Sequence, residues 1–229
     1  FRYVFFSGKG DFFKFCYNIT LGRWSHEYNR LVKRFRNTIA GQFFGHTHLD
    51  EFEVFFKDLE PISVAYLAPS QTPWMDQGLN PAYRIYIIDG TQFSLIPPFQ
   101  NPNPFSTLEN THLPIDHHTH FLDLKQANRV GNASLALEYR ARYDLRLDDM
   151  SPQSWYNYVR QLSANEIDYQ QFRKHYYRYG PEYDIPCDSA CKEKLLCSLL
   201  TSEAQLVEKP PQCEFEAENH LSWWQSLWK

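Results

Sequence analysis

The sequence lacks the features that would assign it at once to several common functional classes. No window is long and apolar enough to cross a bilayer. There is no glycine-rich phosphate loop and no G-x-S-x-G nucleophile motif, so neither class of site is indicated. The formal net charge is −4, whereas nucleic-acid binding normally needs a basic face. We therefore predict no transmembrane segment and no nucleic-acid partner.

The first residues also lack the pattern of a signal peptide. The stretch FRYVFFSGKGDFFKF does not begin with methionine and has charged residues inside its aromatic run. We interpret residues 1–23 as an atypical leader, whose origin as a natural segment or an artefact the sequence leaves open. Together with the signs of secretion below, this leads us to expect a fragment or a processed product.

What is present is typical of a globular protein. The chain has 229 residues, of which 43% are hydrophobic and 17% aromatic. That composition predicts a folded chain rather than a disordered one. The length fits either one large domain or one domain with a small addition.

The first half of the chain has the pattern of a sheet that follows one helix. WSHEYNRLVKRF predicts an amphipathic helix over 24–35, and the apolar run TIAGQFFGH predicts a buried strand. Further strands are predicted at 51–56, 62–68, 83–89 and 119–124, each punctuated by Pro, Gly or Asn. The proline-rich stretch 93–112 predicts a surface loop.

The second half changes to helical patterns. Helices are predicted from LALEYRARYDL, SWYNYVRQLSA, EIDYQQFRKHYYRY and CKEKLLCSLL, the second one capped by Ser151 with Pro152 at its first position. We place the boundary near 128–133. The predicted division is therefore a sheet-forming part at 24–128 and a helical part at 129–229.

Cysteines cluster near the end of the chain, which predicts a disulfide-bonded region in an oxidising compartment. The sequons at Asn18 and Asn132 agree with secretion and predict glycosylation. A zinc knuckle is the alternative, but the spacings do not match paired C-x2-C motifs. Cys16 is left without a partner. The clustered cysteines are Cys187, Cys191, Cys197 and Cys213.

Two histidines in GQFFGHTHLDEF form the main candidate site. If the backbone is extended, His46 and His48 project to the same side and could bind one metal centre. A polar turn whose histidines only form hydrogen bonds is the alternative, and bare spacing favours it. The carboxylates of Asp50, Glu51 and Glu53 could orient the imidazoles, but we interpret them as solvated strand residues.

A second histidine cluster occurs in DHHTH, residues 116–120. Because it leads into a predicted strand, successive side chains should alternate between faces and some should point to solvent. We therefore favour the first cluster as the metal site.

The tail ENHLSWWQSLWK could make transient contact with a lipid surface, although packing against the protein is the commoner fate.

The segment AGQFFGHTHLDEFEVFF resembles the last block of the calcineurin-like metallophosphoesterases, in particular the acid sphingomyelinase branch. Further matching segments follow in order: VAYLAPS, GLNPAYRIYIIDG, LDLKQAN, LEYRARYDL and PCDSACKEKLLC. The resemblance spans roughly 24–213. It implies an α/β fold, the C-terminal part of a four-layer metallophosphoesterase sandwich followed by a helical, disulfide-bonded subdomain.

The resemblance also implies a function. Members of this family are two-zinc phosphodiesterases of the lysosome or extracellular space that cleave sphingomyelin to ceramide and phosphocholine. By position in the motif, His46 would ligate one zinc and His48 the other, and Tyr83 would lie near the substrate headgroup. The four late cysteines match two bridges, most simply Cys187–Cys191 and Cys197–Cys213. Cys16 would then pair with a cysteine upstream.

The sequence departs from the family pattern in its missing blocks. The motifs D-x-H, G-D, G-N-H-[ED] and G-H-x-x-P-G, which supply the remaining zinc ligands, are not found, nor is a saposin-like domain. We assign no catalytic residue and expect this chain alone to be inactive. The alternatives are a related nucleotide phosphodiesterase and a non-catalytic secreted protein that binds a lipid or another partner.

Overall fold

Strands predominate in the first half of the described residues and helices in the second half. The computed structural model describes residues 3–7, 19–45, 47–73, 78–90, 111–202 and 210–215, with side chains described from residue 25 onward. This mixture confirms the predicted α/β class. The elements are β1 (Tyr3–Ser7), α1 (Ile19–Arg34), β2 (Ile39–Phe44), β3 (Glu51–Lys57), β4 (Glu60–Leu67), β5 (Ala82–Ile88), β6 (Pro114–Phe121), α2 (Leu124–Val130), β7 (Ala136–Arg140), α3 (Ala141–Asp144), α4 (Pro152–Ala164), α5 (Glu166–Tyr176) and α6 (Ser189–Leu199), with short 3-10 helices at Pro181–Asp184 and Pro211–Cys213.

The strands form two sheets. The first sheet has the order β1-β2-β4-β3, in which β2 is parallel to β1 and β4, and β3 is antiparallel to β4. The second sheet has the order β5-β6-β7 and is antiparallel throughout. Because β2 and β4 are parallel, the residues that follow both strands lie at the same edge of the first sheet.

The first sheet is covered on both faces, as its nearly continuous apolar strands predict. On one face a small cluster that includes Val32 of α1 packs against Phe44, Phe55 and Leu67. On the other face Phe43, Phe52, Val54, Val64 and Tyr66 join a larger core formed with the helices α4 to α6 and the second sheet. The alternation along each strand places neighbouring residues in different cores.

One predicted strand lies in a different position from the prediction. We predicted a strand over 119–124, whereas β6 runs from Pro114 to Phe121 and α2 begins at Leu124. The sequence does contain the helix signals: the Asp123 side chain accepts from the Gln126 N–H, and Gly131 ends the helix with φ of 67°. The prediction was wrong because it continued the strand through FLDL, which contains the helix-capping residue Asp123.

The segment LALEYRARYDL was predicted to be a helix, and that prediction was wrong for its first half. Ala136–Arg140 is the strand β7, and only Ala141–Asp144 is helical. Pairing of Tyr139 with Thr119 and of Arg140 with His118 fixes it as an edge strand of the second sheet. Tertiary pairing here overrides local helix propensity.

The helical region agrees closely with the prediction. In α4 the Ser151 side chain accepts from the Ser154 N–H and Pro152 occupies the first turn. The next helix, α5, ends at Tyr176, before Arg178 and Tyr179 adopt positive φ values of 47° and 53°. The helix α1 begins at Ile19, five residues earlier than predicted, and ends at Arg34.

Two disulfide bonds lie in this region, Cys187–Cys191 and Cys197–Cys213. Their sulfurs are therefore paired rather than arranged as a zinc knuckle.

None of the helices among the described residues is long and apolar enough to cross a membrane. Cys16, Asn18, His46, most of the proline-rich loop and the tryptophan-rich tail lie outside the described residues.

Candidate functional site

The histidine motif lies in the loop that joins β2 to β3. The strand β2 ends at Phe44 and β3 begins at Glu51, so His48 follows the carboxyl end of a strand that is parallel to its neighbour β4. His48 is half-buried and has φ of 62°. The extended backbone that would project His46 and His48 to one side is therefore not present at His48.

Tyr83 is connected to the same edge of the first sheet. The N–H of Ala82, its neighbour, donates to the Ser70 carbonyl oxygen at 2.9 Å, and Ser70 lies three residues beyond the end of β4. The Ala68 N–H in turn donates to the Phe44 carbonyl oxygen at 2.9 Å. These bonds bring the start of β5 to the edge at which the histidine loop leaves β2.

Tyr83 lies beside a further histidine, His120, which was not predicted from the sequence to belong to this site. The His120 ring stacks on the Tyr83 ring, with centroids 5.1 Å apart and an interplanar angle of 6°. The two residues are direct cross-strand partners in the second sheet. The signal that could have found the pair is the antiparallel pairing of YRIYIID with the segment that contains DHHTH.

The carboxylates after the histidines are buried, which corrects our interpretation of them as solvated strand residues. Asp50 is 5% exposed, Glu51 1% and Glu53 0%. The reason is that β3 is covered on both faces, so its first six residues are all buried. Each carboxylate therefore needs compensation inside the protein.

Asp50 receives that compensation from two strands of the second sheet. The Arg84 guanidinium forms an ion pair with Asp50 Oδ1, and the Tyr139 hydroxyl donates to the same oxygen at 2.8 Å. Arg84 also donates to Thr119 Oγ1 at 3.3 Å and to the Tyr139 hydroxyl at 3.3 Å. Burial by itself would lower the pKa of Arg84, but Asp50 and the tyrosines raise it further, so the guanidinium stays charged.

Two more pairs tie the helix α5 to the strands. The Tyr176 hydroxyl donates to Glu51 Oε1 at 2.8 Å. His175 Nδ1 lies 2.7 Å from Oε1 of Glu138, which precedes Tyr139 in β7. Burial raises the pKa of Glu138, and the bond to His175 acts against that shift.

The second histidine cluster divides between two faces of β6, as the alternation predicted. His117 is fully buried and its ring stacks on Trp155 with centroids 5.9 Å apart. Burial lowers the pKa of His117 well below its usual value, and the positive Arg84 adds to that shift. His118 and His120 lie on the opposite face, so the three rings cannot bind one ion.

The buried charges surround very little space. The cavity lined by Asp50, Arg84, His117, Tyr139 and other core residues has a volume of about 10 Å³. That is about the space one water molecule needs and far too small for a lipid headgroup. This cluster can hold neighbouring elements in place, but it cannot bind substrate.

The fit of zinc to the described residues is incomplete. Among them there is no group of three or more His, Cys, Asp or Glu side chains that could hold a metal ion. Imidazole is a usual zinc ligand, so His48 has suitable chemistry, but a zinc ion normally takes at least three protein ligands. A complete centre therefore needs His46 and further ligands beyond the described set.

Asn132 lies on the surface. It is exposed in the turn after α2, and its sequon neighbours Ala133 and Ser134 are exposed as well. A glycan attached there would meet solvent rather than the core. The position is therefore accessible to the modification that its sequon predicts.

Comparison with known proteins gives a consistent relationship. The family described as "Acid sphingomyelin phosphodiesterase C-terminal region" matches residues 60–206. Human sphingomyelin phosphodiesterase is 37% identical over 213 residues, which cover 91% of this chain and 30% of that protein. Sphingomyelin phosphodiesterase 1 of Caenorhabditis elegans is 37% identical over 182 residues, covering 77% of this chain and 28% of that protein.

A relative with a different printed activity is also similar. The rat cyclic GMP-AMP phosphodiesterase SMPDL3A is 29% identical over 177 residues, covering 74% of this chain and 35% of that protein. The chain thus spans about a third of the length of these curated relatives. Since the family match covers more than half of the chain, the chain belongs to the acid sphingomyelin phosphodiesterase family, in its C-terminal region.

Proposed function

We propose that this chain is the C-terminal portion of a zinc-dependent sphingomyelin phosphodiesterase, which hydrolyses sphingomyelin to ceramide and phosphocholine. The observation that carries the proposal is the histidine loop at the carboxyl edge of β2, in a chain of this family. Carboxyl edges of parallel strands are common positions for ligand and active sites. The identity of 37% to human sphingomyelin phosphodiesterase supports this substrate class.

In this proposal the chain supplies part of the metal centre and part of the substrate site. His46 would ligate one of two zinc ions through an imidazole nitrogen, and His48 would ligate the other. When bound, the zinc ions supply Lewis-acid activation of the phosphoryl group and of the attacking water. Tyr83, stacked on His120, contributes one side of the headgroup site.

The proposed domain organisation follows from the same family relationship. Residues 24–128 form the C-terminal part of a four-layer metallophosphoesterase sandwich, to which the first sheet contributes, and residues 129–229 form the helical subdomain. Pairing of β7 with β6 joins the two parts through the second sheet. The two disulfides hold the end of the helical part together.

The chain alone is proposed to be inactive. The described residues contain no group of three or more metal-binding side chains, so ligands from the rest of the family's sequence are needed.

The proposed location of the whole protein is secreted or lysosomal. Two disulfides and the exposed sequon at Asn132 support it, because disulfides persist in oxidising compartments. Contact with a lipid surface is proposed to be transient.

The experiment compares zinc content and hydrolysis in this chain and in a longer form that includes the upstream ligand motifs. We expect about two zinc ions per molecule in the longer form by elemental analysis, and near zero in this chain, since two histidines are too few. Sphingomyelin hydrolysis at acid pH should be present only in the longer form. His46→Ala and His48→Ala should abolish it.

His118→Ala is the matched control, because it removes a histidine from the outer face of β6, opposite the buried core. Activity of the longer form should survive this change. Two zinc ions in this chain, or hydrolysis by it above the level of its His46→Ala variant, would contradict the proposal of an incomplete site.

A nucleotide phosphodiesterase is the second candidate, supported by the 29% identity to the rat cyclic GMP-AMP phosphodiesterase. Offering the longer form a cyclic dinucleotide beside sphingomyelin separates the two candidates. Preference for the nucleotide would replace the lipid assignment while leaving the metal site intact. A longer form with neither zinc nor activity would instead favour a non-catalytic binding protein.

A further inference from the structure

The loop that carries His48 is held at its downstream end by three elements distant in sequence. The Asp50 N–H donates to the carbonyl oxygen of Tyr176, the last residue of α5, at 3.2 Å. The Asp50 side chain is bound by Arg84 of β5 and Tyr139 of β7. These partners are far from Asp50 in sequence, so the contacts exist only in the folded protein.

The contact is buried and electrostatically strong. The Arg84 side chain is 1% exposed and that of Asp50 is 5% exposed. A charge-assisted hydrogen bond in such a low-dielectric site holds its geometry more firmly than a surface pair does. Removing one partner would leave the other charge uncompensated in the interior. Asp50 is therefore a fixed point of the backbone.

His48, two residues earlier, needs such a fixed point. Its φ of 62° is in the left-handed region, which residues other than glycine adopt uncommonly and at an energetic cost, so contacts that hold the backbone there favour this conformation. Upstream, β2 pairs with β4 as far as Phe44. Downstream, Leu49 packs against the larger core, and the side chain of Asp50 is hydrogen-bonded to two strands of the second sheet.

We propose that Arg84 and Tyr139 are positioning residues for the histidine loop: through Asp50 they hold the backbone that sets the direction of the His48 imidazole. The role of that imidazole as a zinc ligand rests on the proposed function. Arg84 and Tyr139 are not catalytic residues, because the space around them, about 10 Å³, admits no substrate. They act by limiting the conformations of residues 47–50.

The test uses Tyr139→Phe, which deletes only the hydroxyl that donates to Asp50. Tyr66→Phe is the matched control, since Tyr66 is also buried and its hydroxyl donates elsewhere, to the Met150 carbonyl oxygen at 3.3 Å. Both variants of this chain are compared with wild type by amide hydrogen exchange and by NMR of the His48 ring, without zinc. Peptides from α6, which contains neither substituted residue, report any global loss of stability.

We expect exchange in residues 47–50 to accelerate at least tenfold in Tyr139→Phe relative to the α6 peptides, with a shifted or broadened His48 ring signal. Tyr66→Phe should leave both unchanged once global stability is taken into account. Equal exchange of the loop in the two variants would overturn the positioning role. Because zinc is absent from the measurement, a failure of the zinc assignment would leave this result intact, and the reverse also holds.

Arg84→Lys supplies a graded second variant. A lysine keeps the positive charge beside Asp50 but loses the planar guanidinium that also reaches Thr119 and Tyr139. Loop exchange is expected between that of wild type and Tyr139→Phe, or faster than both if the guanidinium geometry matters more than the hydroxyl. Exchange equal to that of wild type would overturn a role for the guanidinium geometry and would leave the positive charge at residue 84 as the feature that holds Asp50.

Discussion

The two histidine-rich segments of this protein have opposite architectures. His48 lies in a loop after a buried strand, where the backbone leaves the regular alternation of a sheet. His117, His118 and His120 lie on the strand β6, where alternation sends the first into the core and the other two to the opposite face. A strand separates adjacent ligands, whereas a loop can bring them together.

The comparison also shows what each segment depends on. The loop is held by a buried ion pair, Asp50 with Arg84, that reaches it from the second sheet. The buried histidine of β6 is surrounded by aromatic rings, those of Tyr66, Tyr86, Tyr139 and Trp155. One segment is thus stabilised by compensated charge, and the other requires a neutral ring.

Breaking the ion pair should give the largest effect on stability. Arg84→Met removes the guanidinium and leaves the Asp50 carboxylate buried without its cationic partner. We expect the free energy of unfolding to fall by about 3–5 kcal/mol, measured by urea denaturation followed by tryptophan fluorescence.

Arg30→Met is the control, because Arg30 pairs with Glu27 at 2.8 Å on an exposed part of α1. A surface pair of this kind contributes about 0–1 kcal/mol. Similar losses in the two variants would mean that Asp50 is solvated in solution and that the loop has no charged anchor.

The sequence was sufficient to predict the strands around the histidine loop. The segments of β2, β3 and β4 are apolar runs bounded by glycine, turn residues or proline, so length and composition agree. The segment that became β7 was not predictable in this way. Its apolar and aromatic residues fit both helical and strand periods, and only pairing with β6 decides between them.

The candidate site was predictable in part for the same physical reason. The motif made His46 and His48 candidates because its residues are contiguous, and their role as zinc ligands stays a prediction. Arg84 and Tyr139 were missed because they meet Asp50 across separations of 34 and 89 residues. One local signal was available in β5. Arg84 is two residues from Ala82 and two from Tyr86, so the three side chains share the inward face of the strand. A charged side chain on an inward face needs a partner of opposite charge.

The neutral state of His117 should appear as a dependence of stability on pH. Its pKa in the folded protein is well below the ordinary value of about 6.5, first because of burial and then because of Arg84. The unfolded chain therefore takes up the proton first, so stability is lost as pH falls below about 6.5. The slope is about 1.4 kcal/mol per pH unit, or about 2 kcal/mol by pH 5.

His117→Phe keeps a ring of similar size against Trp155 and cannot be protonated. Between pH 7 and pH 5 its free energy of unfolding should fall by about 2 kcal/mol less than that of wild type, measured by urea denaturation at each pH. Tyr66→Phe changes the same aromatic cluster without removing a histidine, and its pH dependence should run parallel to that of wild type. Parallel curves for His117→Phe would show that the buried ring is protonated in the folded state.

The smallest effect is expected on the outer face of β6, where His120 stacks on Tyr83. His120→Ala removes the stacked ring and should lower the free energy of unfolding by about 0.5–1.5 kcal/mol, the range measured for aromatic pairs. His120→Phe should restore most of it, because the stack needs a flat ring rather than an imidazole. His118→Ala, on the same face, removes a half-exposed ring and should cost less than His120→Ala. If His120→Phe is as unstable as His120→Ala, the imidazole itself is bonded, and the outer histidines then depend on polar partners as the loop does.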